Sequence, residues 1–237
     1  MNSPARAKLV GGVWLPDTKT HLEEWMTTSK RAREVDGKLT YQYHKIEAAL
    51  RYQPETRRRK AIDIGAHVGL WSMWLCRAFD YVEAIEPVPW FGEIFEANVD
   101  MDKCTLHRCA LGAIRSACAF TIPLESTGAT HMTDRDLSNP KFDPAGPMET
   151  VGNVEMLELD IFPLLNVDFI KIDVEGMEAD VIRGAERTIR KSRPNIVVEQ
   201  KGNDVAYGEV PEAAVKLLQS WGMKPLEVIS GDWIMGW

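Results

Sequence analysis

The residues best suited to chemistry lie at the ends of short apolar runs. Asp63-Ile64-Gly65-Ala66-His67-Val68-Gly69 joins an apolar run to a longer apolar stretch, so it reads as a strand-to-helix turn. In sheets built of such units, ligands bind beyond the carboxyl ends of the strands, where glycines let a ligand approach the backbone. The turn departs from G-x-G-x-x-G, because aligning the last glycine on Gly69 would need glycines where Ile64 and Ala66 stand. Asp63 leads it instead, which suits a ligand with less phosphate and more cationic or hydroxyl character. A tight turn between packed elements is the plain alternative. Glu86 ends the next apolar run, 17 residues after Gly69. A carboxylate so placed can accept hydrogen bonds from ribose hydroxyls.

Lys171, Asp173 and Glu175 alternate across the end of a later run and would share a face in extended geometry, and Glu199 ends the run after that. Acids in such a crevice can take a proton from a hydroxyl nucleophile, so Asp173 and Glu175 are candidate catalytic residues. Capping of a helix opening at Gly176 is the alternative for Asp173, and favourable charge at that helix's first turn the alternative for Glu175. Glu178 and Asp180 read only as helix-start charges. His131, in Thr127-Gly128-Ala129-Thr130-His131, is a candidate general base, with an idle loop histidine as the alternative. His67 would meet a ligand through its backbone, and Tyr43 and His44 are candidates for the pocket wall. His21 and His107 have no context that singles them out. Asp173, Glu175 and Glu199 offer oxygens of the kind Mg2+ accepts. Three acids near strand ends do not establish a metal, and no metal ligand is assigned.

The elements that must position these residues alternate. Strands are expected at 61–64, 81–85, 105–108, 117–122, 154–159, 169–172 and 195–198. Helices follow at 70–79, at 90–99, from Gly176 to about Lys191, and from Pro211 to Trp221. The order implies an α/β, doubly wound, mostly parallel sheet covered on both faces, closed by a hairpin at 226–235 that adds an antiparallel edge. Residues 1–58 read as a helical arm or cap, with helices over His21–Thr27 and Tyr41–Arg51, and residues 59–237 as the sheet domain. Residues 124–150, with three prolines and two glycines, form a long loop expected on the substrate side.

With these elements in place, the chain resembles the FkbM-like family of class I, S-adenosylmethionine-dependent methyltransferases over roughly Ala61 to Gln200. The resemblance rests on the Asp63–Gly69 turn, on Ala84-Ile85-Glu86-Pro87, on Asn98 and on Ala110-Leu111-Gly112. Most specific is Phe169-Ile170-Lys171-Ile172-Asp173-Val174-Glu175-Gly176-Met177-Glu178, with Gly184-Ala185-Glu186 behind it. It implies a seven-stranded Rossmann-like sheet with S-adenosylmethionine as methyl donor. Asp63, Gly65 and Gly69, with Ala66 and His67 between them, would hold the methionine end. Glu86, with Pro87 beside it, would hold the ribose. Ala110 and Leu111 would flank the adenine, and Asp173 would lie beside the transferring methyl. Residues 1–55 and 124–150 carry no such match and are where substrate choice would be set.

Composition narrows the acceptor. The chain has 237 residues, 45% apolar and 27% charged, with net charge −7, which suits a globular domain with a sizeable core. No apolar run reaches membrane-spanning length. Leu9–Leu15 holds two glycines and lacks a small-x-small site, so it reads as mature protein. Four cysteines without a C-x-x-C pair suggest reduced thiols in a cytoplasmic protein. Residues 1–60 carry 13 Lys+Arg against 7 Asp+Glu, and the remainder is acidic. A solvated arm ending in Arg57-Arg58-Arg59-Lys60 is expected rather than an anion-binding one. The loop after Asp173 lacks the Pro-Pro-aromatic run of enzymes that methylate exocyclic amines of DNA bases, and no cysteine follows a proline. The expected activity is therefore O-methylation of a small molecule, sugar or glycan. Methylation within nucleic acid, a nucleoside-binding protein without turnover and a nicotinamide-type oxidoreductase are the alternatives. A homodimer is compatible with all of these.

Overall fold

A computed structural model describes residues 3–18, 21–136 and 146–237. Two hairpins and two helices come first. β1 (Ala7–Val10) pairs with β2 (Val13–Pro16), α1 spans His21–Thr27, β3 (Glu34–Val35) pairs with β4 (Lys38–Leu39), and α2 spans Tyr43–Arg51. Both helices expected here are present, with two hairpins that the sequence pattern did not announce. Gly11-Gly12 turns Leu9–Leu15 back on itself, and Gln42, in the left-handed region at φ 55°, delays α2 by two residues. Nor is this segment a solvated arm. Val13, Leu15, Leu22, Met26, Ile46, Ala48 and Ala49 are buried in the same core as the sheet and its helices.

The Rossmann-like part follows: β5 (Lys60–Ile64), α3 (Ser72–Ala78), β6 (Tyr81–Ile85), α4 (Pro89–Asn98) and β7 (Cys104–His107). β8 (Ala110–Leu111), β9 (Ser116–Pro123), β10 (His131–Met132) and β11 (Met148–Leu157) form a separate sheet in the order β10-β9-β11-β8. The chain then returns through β12 (Val167–Ile172), α5 (Glu178–Arg183), α6 (Glu186–Ser192), β13 (Asn195–Glu199), α7 (Ala213–Ser220), β14 (Lys224–Ile229) and β15 (Asp232–Gly236). The main sheet has seven strands, ordered β14-β15-β13-β12-β5-β6-β7. From β13 to β7 all pairs are parallel, and β15 runs antiparallel to both its neighbours. The closing hairpin lies at one edge of the sheet, with β15 antiparallel to β13 and β14 outermost.

Alternation along the central strands fills both faces. Ala61, Phe169 and Val197 join one core with α3 and α4, whereas Ile62, Ile64, Ile170, Ile172, Ile196 and Val198 join the other with α5, α6 and α7. The helix expected from Gly176 to Lys191 is broken at Gly184, where a Cβ would lie 2.0 Å from the Gly112 carbonyl oxygen. There the Gly184 carbonyl accepts from the Asp160 N–H (3.0 Å). The Asp160 carboxylate in turn caps α6, accepting from Arg187 N–H (2.7 Å) and Thr188 N–H (2.8 Å).

Polar ties bind the front of the chain to the sheet. The Asn98 carboxamide accepts from Trp14 N–H and donates to the carbonyls of Trp14 and Val68, each at 2.8 Å. Lys45 on α2 meets Asp232 on β15 at 2.6 Å, both buried. The basic run is also engaged: Arg59 donates to Asp168 at 2.6 and 2.8 Å, Arg57 approaches it at 3.4 Å, and Lys60 meets Glu83 at 2.7 Å. Burial would raise the Asp168 carboxyl, but Arg59 outweighs it and holds the group below the usual carboxylate range. Of the expected long loop 124–150, the described part holds a short 3-10 turn over Thr127–Ala129, β10 and the first residues of β11. The rest, 137–145, lies outside the described residues. Among the described residues no helix is long and apolar enough to cross a membrane.

Candidate active site

The strand order turns back between β5 and β12, and a crevice opens beyond their carboxyl ends, where doubly wound sheets bind ligands. A cavity of ≈ 220 Å³ occupies it, walled also by His21, Tyr41 and Gln42 from the front of the chain and by the turn before β10. After β5, Gly65 sits at φ +74°, and a Cβ on it would lie 1.9 Å from the Asp173 carbonyl oxygen. The glycine is therefore required first by the approach of the loop after β12, not by a ligand. The N–H groups of Gly65 and Ala66 donate to the Ile85 carbonyl at 3.1 and 3.0 Å, and His67 N–H donates to Glu86 Oε2 at 2.8 Å. Glu86 Oε1 accepts from Val88 N–H at 2.8 Å. Burial pushes the Glu86 carboxyl up to about 7 against the lowering pull of those two donors.

Asp63 and Gly69 do not line the cavity. Asp63 is wholly buried behind it, accepting from Ser72 Oγ at 2.7 Å and lying 3.2 Å from Lys171 Nζ. Gly69 is packed against Phe95 and Val99 of the α4 segment. Both shape the turn rather than touch its contents. Lys171 Nζ donates to the Gly65 carbonyl at 2.8 Å and lies 3.8 Å from Asp173 Oδ2. Burial would lower this lysine, but Asp63 and Asp173 outweigh it and hold it protonated.

The acidic end is built by the loop after β12. Glu175 adopts φ 55°, uncommon for a residue with a side chain. Glu178, buried at 2% exposure, accepts from Val174 N–H (3.2 Å) and Gly176 N–H (3.0 Å). It is the staple of this loop rather than a surface helix charge, and burial pushes it up to about 7. The N-cap position of α5 is Met177, and the backbone N–H groups leading into the helix are held by Glu178 rather than by Asp173. Carboxylate oxygens of Asp173, Glu175 and Glu199 lie within 4.8 Å of one another. Asn203 Nδ2 donates to Glu175 Oε2 at 2.6 Å, and Lys201 Nζ donates to Glu199 Oε1. Burial and the neighbouring carboxylates raise both Glu175 and Glu199. Lys171 and Lys201 already stand against two of the three acids, so no divalent ion is needed to hold them together.

The structure brings Gly65, Ala66, His67, Glu86, Pro87, Ala110, Leu111, Asp173 and Glu175 to one cavity. It does not bring His131 there. That ring is 2% exposed in β10, its Nδ1 2.9 Å from the Ala129 carbonyl oxygen, and burial lowers its pKa. The histidine on the wall is His21, its Nδ1 3.3 Å from Ser126 Oγ, and burial followed by Lys201 lowers it. Tyr43 and His44 are also displaced from the wall. Tyr43 stacks edge-on to Trp74 at 5.0 Å and His44 meets Arg31 at 2.9 Å, whereas Tyr41 and Gln42 line the cavity. Burial and then Asp173 push the Tyr41 hydroxyl up to about 12. His67, half-buried, is lowered to about 3 by burial and by the charges of His21 and Lys171. Sequence reasoning passed over Lys201, although it lies two residues beyond Glu199, the spacing that returns a chain to the same face. No local signal marks His21 or Asn203.

Sheet order and crevice together define a doubly wound α/β protein with its site at the topological switch point. A family model described as the methyltransferase FkbM domain matches residues 63–224, and the chain belongs to that family. Methyltransferase 1 of Beauveria bassiana (strain ARSEF 2860) is 24% identical over 156 residues, covering 58% of this chain and 63% of that protein. Among solved structures, methyltransferase FkbM from Methylobacillus flagellatus KT shares 17% identity at a TM-score of 0.48, over 76% of this chain and 43% of that one. Precorrin-6y C5,15-methyltransferase from Geobacter metallireducens GS-15 shares 18% identity at a TM-score of 0.47, over 89% and 92%. The chain spans less than two thirds of the length of the first two of these proteins.

Proposed function

We propose that the protein transfers a methyl group from S-adenosylmethionine to a hydroxyl of a small molecule, sugar or glycan. The supporting observation is that one cavity holds both sets of groups such a reaction needs. Its lining includes the Glu86 carboxyl after β6 together with Ile85, Cys109, Leu111 and Phe120, and also Asp173 after β12 together with Glu175, Glu199, Lys201 and Tyr41.

The residues fit the donor. Each Glu86 oxygen retains a lone pair beyond the one taken by a backbone N–H, so ribose hydroxyls can donate to it. The apolar residues in the same lining suit a planar base. Bound there, S-adenosylmethionine supplies a methyl group on a positively charged sulfur. The chain's own work is to align the acceptor and to receive its proton. Asp63 contributes indirectly, by holding the lysine that holds the Gly65 carbonyl.

Methylation within nucleic acid is the weaker reading. Arg57, Arg59 and Lys60 lie at the amino end of β5, opposite the cavity, and are spent on Asp168 and Glu83. Calorimetry with S-adenosylhomocysteine, followed by isotope-labelled methyl transfer onto extracted small molecules, glycans and nucleic acids, tests the proposal. Binding with label on a hydroxyl is expected. Absence of heat at saturating ligand removes the donor assignment, and label on nitrogen or nucleic acid removes the acceptor assignment.

A further inference from the structure

Resting on that reading, we infer that Glu175 and Glu199 form one proton-holding pair that receives the acceptor's proton, and that Asn203 is the positioning residue that sets it. The backbone is bent to build this pair. Glu175 is held in the left-handed region at φ 55°, and a Cβ on Gly176 would lie 2.7 Å from the Asn203 carbonyl oxygen. Strain of this kind persists only where the surroundings over-determine it, and here Glu178 pins the N–H groups on both sides of Glu175. The result places the Glu175 carboxyl within 4.8 Å of that of Glu199, the last residue of β13.

Charged groups face the pair from every side. Asp173 and Glu178 belong to the β12–α5 segment, Lys201 follows β13, Asp232 begins β15, Lys171 is the next-to-last residue of β12, and Tyr41 precedes α2. Lys171 is engaged by Asp63, and Asp232 by Lys45, which leaves Lys201 as the cation in contact with the pair. Burial and the closeness of the two carboxylates make the pair hold a proton more tightly than an isolated carboxylate does. In the transfer step the acceptor oxygen forms its bond to the methyl carbon while the carbon–sulfur bond breaks, its electron pair staying on sulfur. The acceptor's O–H bond breaks and the proton passes to a carboxylate oxygen of the pair, so no further reactant is required.

The test needs no acceptor. In the full-length chain with 13C-labelled glutamate side chains, the two carboxyl carbons are followed by NMR against pH. In the unsubstituted protein they are expected to titrate together, at least about one pH unit above the ordinary glutamate value of about 4.3. Glu199→Gln should return the Glu175 midpoint toward that value by about one pH unit or more. Replacing Asn203 should raise the midpoint in the order Asn, Ala, Asp, an order that a merely structural role would not produce. Midpoints near the ordinary value in the unsubstituted protein, or a Glu175 midpoint indifferent to Glu199→Gln, overturn the pair. S-adenosylhomocysteine calorimetry on the same samples separates the two claims. Lost binding with a raised midpoint sinks the donor assignment alone, and intact binding with ordinary midpoints sinks the pair alone.

Discussion

Replacing Gly65 by alanine would put a carbon 1.9 Å from the Asp173 carbonyl oxygen, on a backbone at φ +74°. Two penalties combine there. A non-glycine residue in the left-handed region costs about 1–2 kcal/mol, and forcing atoms into a filled space costs roughly another 1–3 kcal/mol. Gly37 is the internal control. It has the same φ of +74° but nothing within 4 Å of its Cβ position, so Gly37→Ala carries only the first penalty. For a chain of this size each kcal/mol shifts the melting temperature by about 2–4 °C. Gly37→Ala should therefore lower it by about 2–8 °C, and Gly65→Ala by roughly twice as much. The displaced loop carries Asp173 and Glu175, so Gly65→Ala should also weaken S-adenosylhomocysteine binding while Gly37→Ala should not. Differential scanning calorimetry and titration calorimetry on the two variants decide the matter. Equal melting shifts with equal affinities would show that close approach of the β12 loop is not why glycine stands at 65.

Glu86→Ala should weaken S-adenosylhomocysteine binding by about 1.5–3 kcal/mol for each charge-assisted hydrogen bond lost, whereas Asp173→Ala should cost methyl transfer more than affinity; binding isotherms and labelled-methyl assays compare them. Glu86 and Glu178 are both pushed up to about 7 from 4.5, so between those values the folded chain holds protons that the unfolded chain has released. Their contribution to stability is therefore full below about 4.5 and is lost as pH rises toward 7, by up to about 1.4 kcal/mol per pH unit per group. Urea unfolding of Glu178→Gln should show a shallower decline than the parent between pH 5 and about 7. Lys45→Met leaves the Asp232 carboxylate buried without its 2.6 Å partner and should cost about 3–5 kcal/mol in the same assay, with Asp232→Leu restoring part of it.

What could be read in advance was local. β5, β6, β12 and β13 are short apolar runs with acids at their carboxyl ends, and a run buried on both faces announces itself. The acids that gather at the cavity were legible for the same reason, since a parallel sheet brings all its strand ends to one rim. What failed depended on contacts between distant segments. Whether Gly65 serves a ligand or the Asp173 carbonyl turns on a loop more than a hundred residues away. Whether His21 or His131 faces the cavity depends on how α1 meets the turn holding Ser126, which periodicity does not encode. Glu178 looked like a helix-start charge because only folding reveals the N–H groups it holds.

The carboxamide of Asn98 reaches a hairpin 84 positions earlier and, with the same amide nitrogen, the carbonyl of Val68 beside the bend that follows β5. Hairpin and bend are thereby tied through one side chain, and lifting the hairpin would strip the two hydrogen bonds it makes with Asn98. On the α1 side of the cavity, His21 Nδ1 lies 3.3 Å from Ser126 Oγ, a contact at the long end of the hydrogen-bond range.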